Sequence, residues 1–149
     1  MIDYATQKGC LVVTSAGNNN SDDLLQAPSV YQFVLSVASV GTQDTKAPIS
    51  NYGINTDLSA PGEQVMSTVA NGRFSTKKGT SMSSAIVAGA AALVKSRFPN
   101  YTGMQIGELL RVTSDPIDHL NDPTHQQKLG AGRLNTVSYT HLRAHETSI

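Results

Sequence analysis

The chain has 149 residues, 39% of them apolar and 15% charged, a composition typical of a globular domain with a core of its own. Eleven basic and eleven acidic residues cancel to a formal charge of zero and tryptophan is absent, so neither a nucleic-acid-binding protein nor a protein of anionic membrane surfaces is indicated. No apolar run approaches the roughly 20 residues of a bilayer-spanning helix, and the single cysteine, Cys10, excludes an internal disulfide framework.

The predicted elements alternate between strands and helices along the chain. Short apolar runs bounded by turn residues predict strands, and a longer run of small apolar residues, which Pro99 ends, predicts the main helix. Gly9 is placed to end a short helix and Asn71-Gly72 to form a hairpin turn. The predicted helices are 2–8, 81–97 and 103–112, and the predicted strands are 10–15, 33–40, 58–62, 65–69 and 72–76. This alternation is typical of a layered α/β fold.

Two further predictions accompany these elements. Cys10 precedes an apolar strand, so a buried structural thiol is predicted rather than a reactive one. In the helix 103–112, helical spacing places the apolar residues on one face. The members of that face are Met104, Ile106, Leu109, Leu110 and Val112.

The segment from Gly79 to Ser84 points most directly to chemistry. A glycine-led turn presents Ser81 at the start of the main helix, where the helix dipole and a free backbone N–H can stabilise a developing oxyanion. A serine hydroxyl becomes a nucleophile once a neighbouring base takes its proton. The alternative is that Ser81 only caps the helix, the commonest role of a serine there. The segment alone leaves both interpretations open.

A second motif lies at the end of the first predicted strand. Residues 11–15 are followed by Ala16, Gly17 and Asn18. An asparagine just past a parallel strand can direct its amide N–H₂ group into a cleft at the carboxyl end of the sheet, where α/β proteins bind ligands. The alternative is that Asn18 only supports the turn, since asparagine tolerates left-handed backbone geometry.

These two motifs, in this order, resemble those of the subtilisin-type serine proteases. Residues 58–62 and 66–69 match further blocks of that family between them. Residues 48–53 resemble the family's Ser-x-Tyr-Gly loop, and residues 130–135 resemble its closing Gly-x-Gly-x-x-Asn segment. The blocks extend over most of the chain, from Gly9 to Asn135.

The resemblance implies a three-layer α/β fold with a parallel sheet, of which the amino-terminal half is missing here. It implies that Ser81 is the nucleophile of a serine endopeptidase that hydrolyses polypeptide substrates. Asn18 would be the side-chain donor of the oxyanion hole, beside the backbone N–H of Ser81. Ser15, Ala16 and Gly17 would form one wall of the primary specificity pocket.

Two departures from the family pattern bear on activity. The family order is aspartate, histidine, serine, yet only 17 residues precede Asn18 and none of them is a histidine. All four histidines follow Ser81, and none is expected to act as its base: His119, His125, His141 and His145. The family also has a proline where this chain has Ala85. We therefore expect the chain to be an inactive fragment that lacks its amino-terminal partner half.

Other function classes rest on weaker signals. A non-catalytic binding module derived from a protease is the main alternative. Asp115 followed by His119 or His125 gives the order that an esterase-like hydrolase needs, although residues 79–83 fall one glycine short of its nucleophile motif. The aspartates have no calcium-loop spacing, so no cofactor is identifiable and calcium is implied by the resemblance alone.

The ends of the chain are expected to differ. Residues 1–136 are assigned to the peptidase domain and residues 137–149 to a non-native or disordered tail, because residues 138–147 resemble translated adapter sequence. His141 and His145 lie in this tail. The resemblance implies a secreted or cell-envelope protein, although the first residues lack a signal-peptide pattern.

Overall fold

A computed structural model describes residues 1–22 and 27–138. Most elements match the sequence predictions within two residues at each end. The helices are α1 (Ile2–Gln7), α2 (Thr80–Arg97) and α3 (Gly103–Val112), followed by a 3-10 turn at Asp118–Leu120, and the strands are β1 (Val12–Ser15), β2 (Val34–Val40), β3 (Leu58–Pro61), β4 (Val65–Val69) and β5 (Arg73–Lys77).

The main sheet has three parallel strands in the order β1-β2-β3. Val12 pairs with Val34, and Val37 pairs with Leu58, so consecutive strands lie side by side. Because the strands are parallel, their carboxyl ends meet at one edge of the sheet, which is where open α/β sheets place ligands. β4 and β5 form the separate antiparallel hairpin that the Asn71-Gly72 turn predicts.

Hydrophobic clusters cover both faces of this sheet. All seven residues of β2 are buried, as a central parallel strand requires. Val37 belongs to the cluster that α2 and α3 complete through Val87, Val94 and Leu110. The next residue, Ala38, belongs to a second cluster on the opposite face, formed with the loops that carry Ile117 and Leu129. The sheet is therefore an inner layer between helices and packed loops.

α2 lies close to the sheet because its inward side chains are small. It packs on all three strands of the main sheet. Ser83 is fully buried and its hydroxyl donates to the carbonyl oxygens of Ala60 and Pro61, at 3.0 and 3.2 Å. These bonds dock the first turn of α2 onto the end of β3. The start of α2 is thereby held at the carboxyl edge of the sheet.

The burial prediction for Cys10 is wrong. Cys10 is exposed, because β1 is an edge strand and the backbone of Cys10, rather than its side chain, faces α3 at Gly103. The apolar face of α3 is only partly buried: Ile106 and Leu110 enter the core, whereas Met104 is 55% exposed and Val112 is 66% exposed.

Within the described residues, no helix is long and apolar enough to cross a membrane. The proposed tail falls almost entirely outside them. Val137 and Ser138 are described, and both backbone N–H groups donate to the side-chain oxygen of Asn135. Residues 139–149, with His141 and His145, lie outside the described part, so the boundary at 136 stays a prediction.

Candidate active site

Ser81 is the second residue of α2 and its side chain is exposed. Gly79 occupies the N-cap position and has no side chain with which to cap the helix. Ser81 is therefore not the cap, and the alternative interpretation of the motif is wrong. The first turn of a helix leaves backbone N–H groups without intrahelical partners, so Ser81 stands where an anion is favoured.

Asn18 lies directly against the start of α2. Its side-chain oxygen accepts hydrogen bonds from the backbone N–H of Thr80, at 2.9 Å, and from the Thr80 hydroxyl, at 3.0 Å. With the oxygen occupied, the amide N–H₂ group remains as the outward donor, and it has no hydrogen-bond partner among the described residues. The structure thus brings Asn18 to the residue that immediately precedes Ser81.

Thr80 connects the two segments that carry these residues. Its side chain is fully buried, and its hydroxyl both donates to Asn18 and accepts from the N–H of Gly17, at 3.3 Å. Sequence reasoning assigned no role to Thr80, although it stands inside the serine motif. The signal that could have indicated its role is the position of a threonine hydroxyl between a glycine turn and the start of a helix.

The close approach between the Asn18 turn and the start of α2 requires a glycine at position 79. Its φ of 129° is a conformation that residues with a Cβ rarely adopt. A Cβ there would also lie 3.3 Å from the side-chain oxygen of Asn18. The Gly79 N–H donates to the Gly62 carbonyl at 2.8 Å, which ties the turn to the end of β3.

The predicted pocket wall follows β1 without a break. Ser15 ends the strand, and Ala16 is 7% exposed, with its N–H donating to Val37 at 2.9 Å. Gly17 has a φ of 109° and turns the chain toward Asn18. Ala16 also borders a small recess that Ser29 and Asn51 share. The residues of the predicted wall, Ser15, Ala16 and Gly17, therefore lie beside Asn18 at the carboxyl edge of the sheet.

The described histidines are not joined to Ser81. His119 is exposed on the 3-10 turn. His125 packs edge-on against Tyr52, with ring centroids 4.7 Å apart. Burial, and then the nearby positive charge of Lys46, lowers the pKa of His125, so its neutral form is favoured. Neither ring has a hydrogen bond to Ser81 or Asn18 in the part of the chain that the structure describes.

The esterase-like arrangement finds no support in these positions. The Asp115 carboxylate pairs with Arg133, at 2.7 Å, and accepts from the Asn135 amide, at 2.8 Å. It is thus committed to the closing segment of the chain rather than to a histidine. Within residues 1–22 and 27–138, the acid and base that such a hydrolase needs are not assembled around Ser81.

Over residues 1–22 and 27–138, no group of three or more His, Cys, Asp or Glu side chains is arranged to hold a metal ion. Calcium prefers six to eight oxygen ligands that include carboxylates. The described side chains thus offer no cluster of three acidic donors for calcium.

Comparison with known proteins identifies the family. The Subtilase family model matches residues 1–132. The chain is 40% identical to the Thermophilic serine proteinase of Bacillus sp. (strain AK1) over 116 residues, which are 78% of this chain and 28% of the relative. It is 34% identical to Subtilisin Savinase of Lederbergia lenta over 139 residues, which are 93% of this chain and 49% of the relative.

Solved structures give the same result. A protease from Pseudoalteromonas arctica PAMC 21717 superposes with a TM-score of 0.82 at 30% identity, over 92% of this chain and 44% of that one. The chain spans about half the length, or less, of the relatives that it matches. The fold is thus a subtilisin-like parallel-sheet α/β fold in part, and the chain belongs to the subtilase family of serine proteases.

Proposed function

We propose that this chain carries the nucleophile and the oxyanion hole of a serine endopeptidase, with Ser81 and Asn18 in those roles. The observation that carries the proposal is the pair of hydrogen bonds from Thr80 to the side-chain oxygen of Asn18. They fix the amide beside the first turn of α2 and leave its N–H₂ group available to donate. Family membership supplies the reaction class.

The proposed reaction proceeds through an acyl-enzyme. A base removes the proton of the Ser81 hydroxyl as its oxygen attacks the carbonyl carbon of a peptide bond. The carbonyl oxygen becomes an oxyanion, to which the amide of Asn18 and the backbone N–H of Ser81 donate. The C–N bond then breaks, the amine leaves with the proton, and water hydrolyses the ester on Ser81.

The oxyanion donors supply the part of catalysis that this chain holds. Removing one such side-chain donor typically costs about 3–4 kcal/mol of transition-state stabilisation, a value measured on a subtilisin, the family to which this chain belongs. Ala16 and its neighbours in the proposed wall, Ser15 and Gly17, would contact the substrate side chain that precedes the scissile bond. The substrate is a polypeptide, and the complete protein is an exported enzyme.

The chain by itself should show little or no proteolysis. A serine nucleophile needs a base, and residues 1–17 contain no histidine. His119 and His125 lie on segments that make no hydrogen bond with Ser81 in the described part. Without a complete triad, only the residual catalysis of the oxyanion hole and of substrate binding would remain.

The test compares this chain with the longest protein that its gene encodes, using a chromogenic peptide anilide as substrate. If the gene extends upstream to an aspartate and a histidine, the longer protein should cleave the substrate. Ser81→Ala should reduce cleavage to background, and Asn18→Ala should lower kcat by about 10²–10³-fold. Ser96→Ala, an exposed position at the opposite end of α2 from Ser81, is the control.

Three outcomes contradict parts of the proposal. Cleavage by the longer protein that survives Ser81→Ala excludes Ser81 as nucleophile. An unchanged kcat in Asn18→Ala excludes the oxyanion role. Ser81-dependent cleavage by the isolated 149 residues contradicts the inactive fragment. A gene that begins at Met1 and whose product binds peptides without cleaving them favours the binding module.

A further inference from the structure

The side chain of Asn51 connects the loop after β2 to the turn that carries Asn18. Asn51 is 3% exposed. Its side-chain oxygen accepts from the backbone N–H groups of Asn19, at 2.8 Å, and Ser21, at 3.2 Å. Its amide nitrogen donates to the carbonyl oxygen of Ala16 at 3.1 Å. A buried carboxamide with both ends occupied fixes its partners, because breaking any of these bonds leaves a buried polar group unsatisfied.

The residues that Asn51 binds flank Asn18 in the sequence. Ala16 lies two residues before it and Asn19 one residue after it. The backbone N–H of Asn51 also donates to the carbonyl oxygen of Gly17, at 2.9 Å. Asn51 thus binds the backbone on both sides of Asn18, and the Asn18 side chain is left to Thr80 on the opposite side of the turn.

Lys46 reinforces the same connection from outside. Its ammonium group donates to the side-chain oxygen of Asn20, at 2.7 Å, and to the carbonyl oxygens of Ala47 and Ser50, at 3.0 and 3.1 Å. Asn20 is therefore connected to the segment that carries Asn51. The turn thus has two attachments to that segment, a buried one through the Asn51 side chain and a more exposed one through Lys46. The buried attachment contacts the residues next to Asn18 and is the stronger candidate for control of its position.

We propose that Asn51 is a positioning residue for the oxyanion hole: its side chain fixes the turn so that the Asn18 amide meets Thr80 and presents its N–H₂ group beside Ser81. The proposal rests on the proposed function for its catalytic meaning, but the positioning itself is a property of the folded chain. If Asn51 only stabilised the fold, its loss would weaken all regions alike. If it positions Asn18, its loss weakens the Asn18–Thr80 bond more than the core.

The test measures hydrogen exchange of the Thr80 backbone N–H by NMR in the 149-residue chain. This N–H donates to the Asn18 side chain, and no hydrogen bond joins Thr80 to Asn51 among the described residues, so its protection relative to the core reports on the Asn18–Thr80 bond. In Asn51→Leu, which keeps the number and branching of the side-chain heavy atoms and removes all three side-chain bonds, protection of Thr80 should fall by about tenfold relative to the Val37 amide in the core. Asn18→Ala, as a reference, should show the same loss.

Asn135 provides a matched control. Its side chain also accepts from two backbone N–H groups and donates once, to Asp115, at the other end of the chain. Asn135→Leu should leave Thr80 protection relative to Val37 unchanged. Asn51→Asp, a milder change, keeps the acceptor for Asn19 and should retain more Thr80 protection than Asn51→Leu, which keeps the test usable should the leucine variant not fold.

Separate results decide the separate claims. Equal relative loss in Asn51→Leu and Asn135→Leu, or unchanged Thr80 protection in both Asn51 variants, overturns the positioning role. Should Asn51→Leu not fold, Asn51→Asp decides: a shift of the Asn18 side-chain N–H₂ signals with reduced Thr80 protection supports the role, and wild-type values overturn it. None of these readouts needs catalysis, so failure of the endopeptidase proposal appears only in the kinetic assay above.

Discussion

The side-chain oxygen of Asn18 accepts from both the backbone N–H and the hydroxyl of Thr80, at 2.9 and 3.0 Å. This double contact decides which end of the Asn18 amide faces outward. An amide oxygen directed at the site would repel an oxyanion, whereas the N–H₂ group donates to it. Thr80 therefore sets the polarity of the site without contacting the reacting atoms in this arrangement.

The first prediction concerns the hydroxyl of Thr80. Thr80→Val keeps the shape of the side chain and removes its bonds to Asn18 and Gly17. We expect the free energy of unfolding to fall by about 1–2 kcal/mol, since the partly buried Gly17 N–H loses its acceptor. The NMR signals of the Asn18 side-chain amide should shift. Ser83→Ala removes another buried hydroxyl of α2 and should leave those signals in place, and a shift of equal size in both variants would refute the assignment.

The second prediction concerns Gly62, which lies under the turn before Ser81. A Cβ at Gly62 would be 2.9 Å from the Gly79 carbonyl oxygen and would overlap the hydroxyl oxygens of Ser39 and Ser83. Gly62→Ala should therefore lower the free energy of unfolding by about 1–3 kcal/mol through overpacking, measured by urea denaturation.

Gly89 is the matched control for that substitution. It lies inside α2, where a Cβ would meet no atom within 4 Å. Gly89→Ala should raise the free energy of unfolding by about 0.5–1 kcal/mol, because alanine favours the helix. Comparable destabilisation by both substitutions would show that the close approach at Gly62 is not the cause of the lower free energy of unfolding.

The third prediction concerns the pH dependence of stability at Asp57. Burial raises the pKa of this carboxyl, against the opposing effect of a hydrogen bond from the Ser36 N–H. The unfolded chain therefore ionises first as pH rises, and stability falls between the ordinary aspartate pKa and the raised value. Asp57→Asn, which keeps an acceptor for Ser36, should match the parent at pH 3 and be more stable at pH 7. The measurement is the urea midpoint at the two pH values.

Asp122 should behave in the opposite sense and serves as the control. A hydrogen bond from the Thr124 hydroxyl, then one from its N–H, lowers the pKa of Asp122. Its contribution to stability is present above the ordinary aspartate pKa and is lost as pH falls through the lowered value. Asp122→Asn should thus cost stability at pH 7 and little in strong acid. If Asp57→Asn and Asp122→Asn changed stability at pH 7 in the same direction, the causes assigned to the two pKa shifts would be contradicted.

The sequence could predict the elements of the site because their signals are local. The strand that ends before Asn18, the glycine before Thr80 and the small-residue helix after Ser81 are each read within about ten neighbouring residues. Asn51 could not be assigned a role in this way. Its side-chain partners are 30 to 35 residues away, and only folding brings the two segments together.

Burial was harder to predict than element type for a related reason. Cys10 and Met104 both stand in apolar patterns, yet both are exposed. Whether an apolar residue is covered depends on which strand is at the edge of the sheet and on what packs beyond it. Among the described residues nothing covers the side chains of Cys10 and Met104, and the local pattern carries no information about such packing.

The last prediction concerns the outer face of α2. The residues on this face are small or apolar and exposed: Ala85, Ala88, Gly89, Ala92 and Leu93. β1, an edge strand of the sheet, also lacks a second neighbouring strand among the described residues. An exposed edge strand and an exposed apolar face both favour association between chains. We expect the isolated chain to self-associate, with a sedimentation coefficient that rises with concentration.

Ala88→Lys tests this expectation at the centre of that face. A buried ammonium group without a partner opposes association, so the variant should sediment as a smaller species at equal concentration. Val112→Lys places the same charge at another exposed apolar residue, on α3, and should not change sedimentation. A parent chain that remains a monomer across the concentration range and unfolds cooperatively would contradict the prediction, because it would show that the exposed face of α2 needs no covering partner.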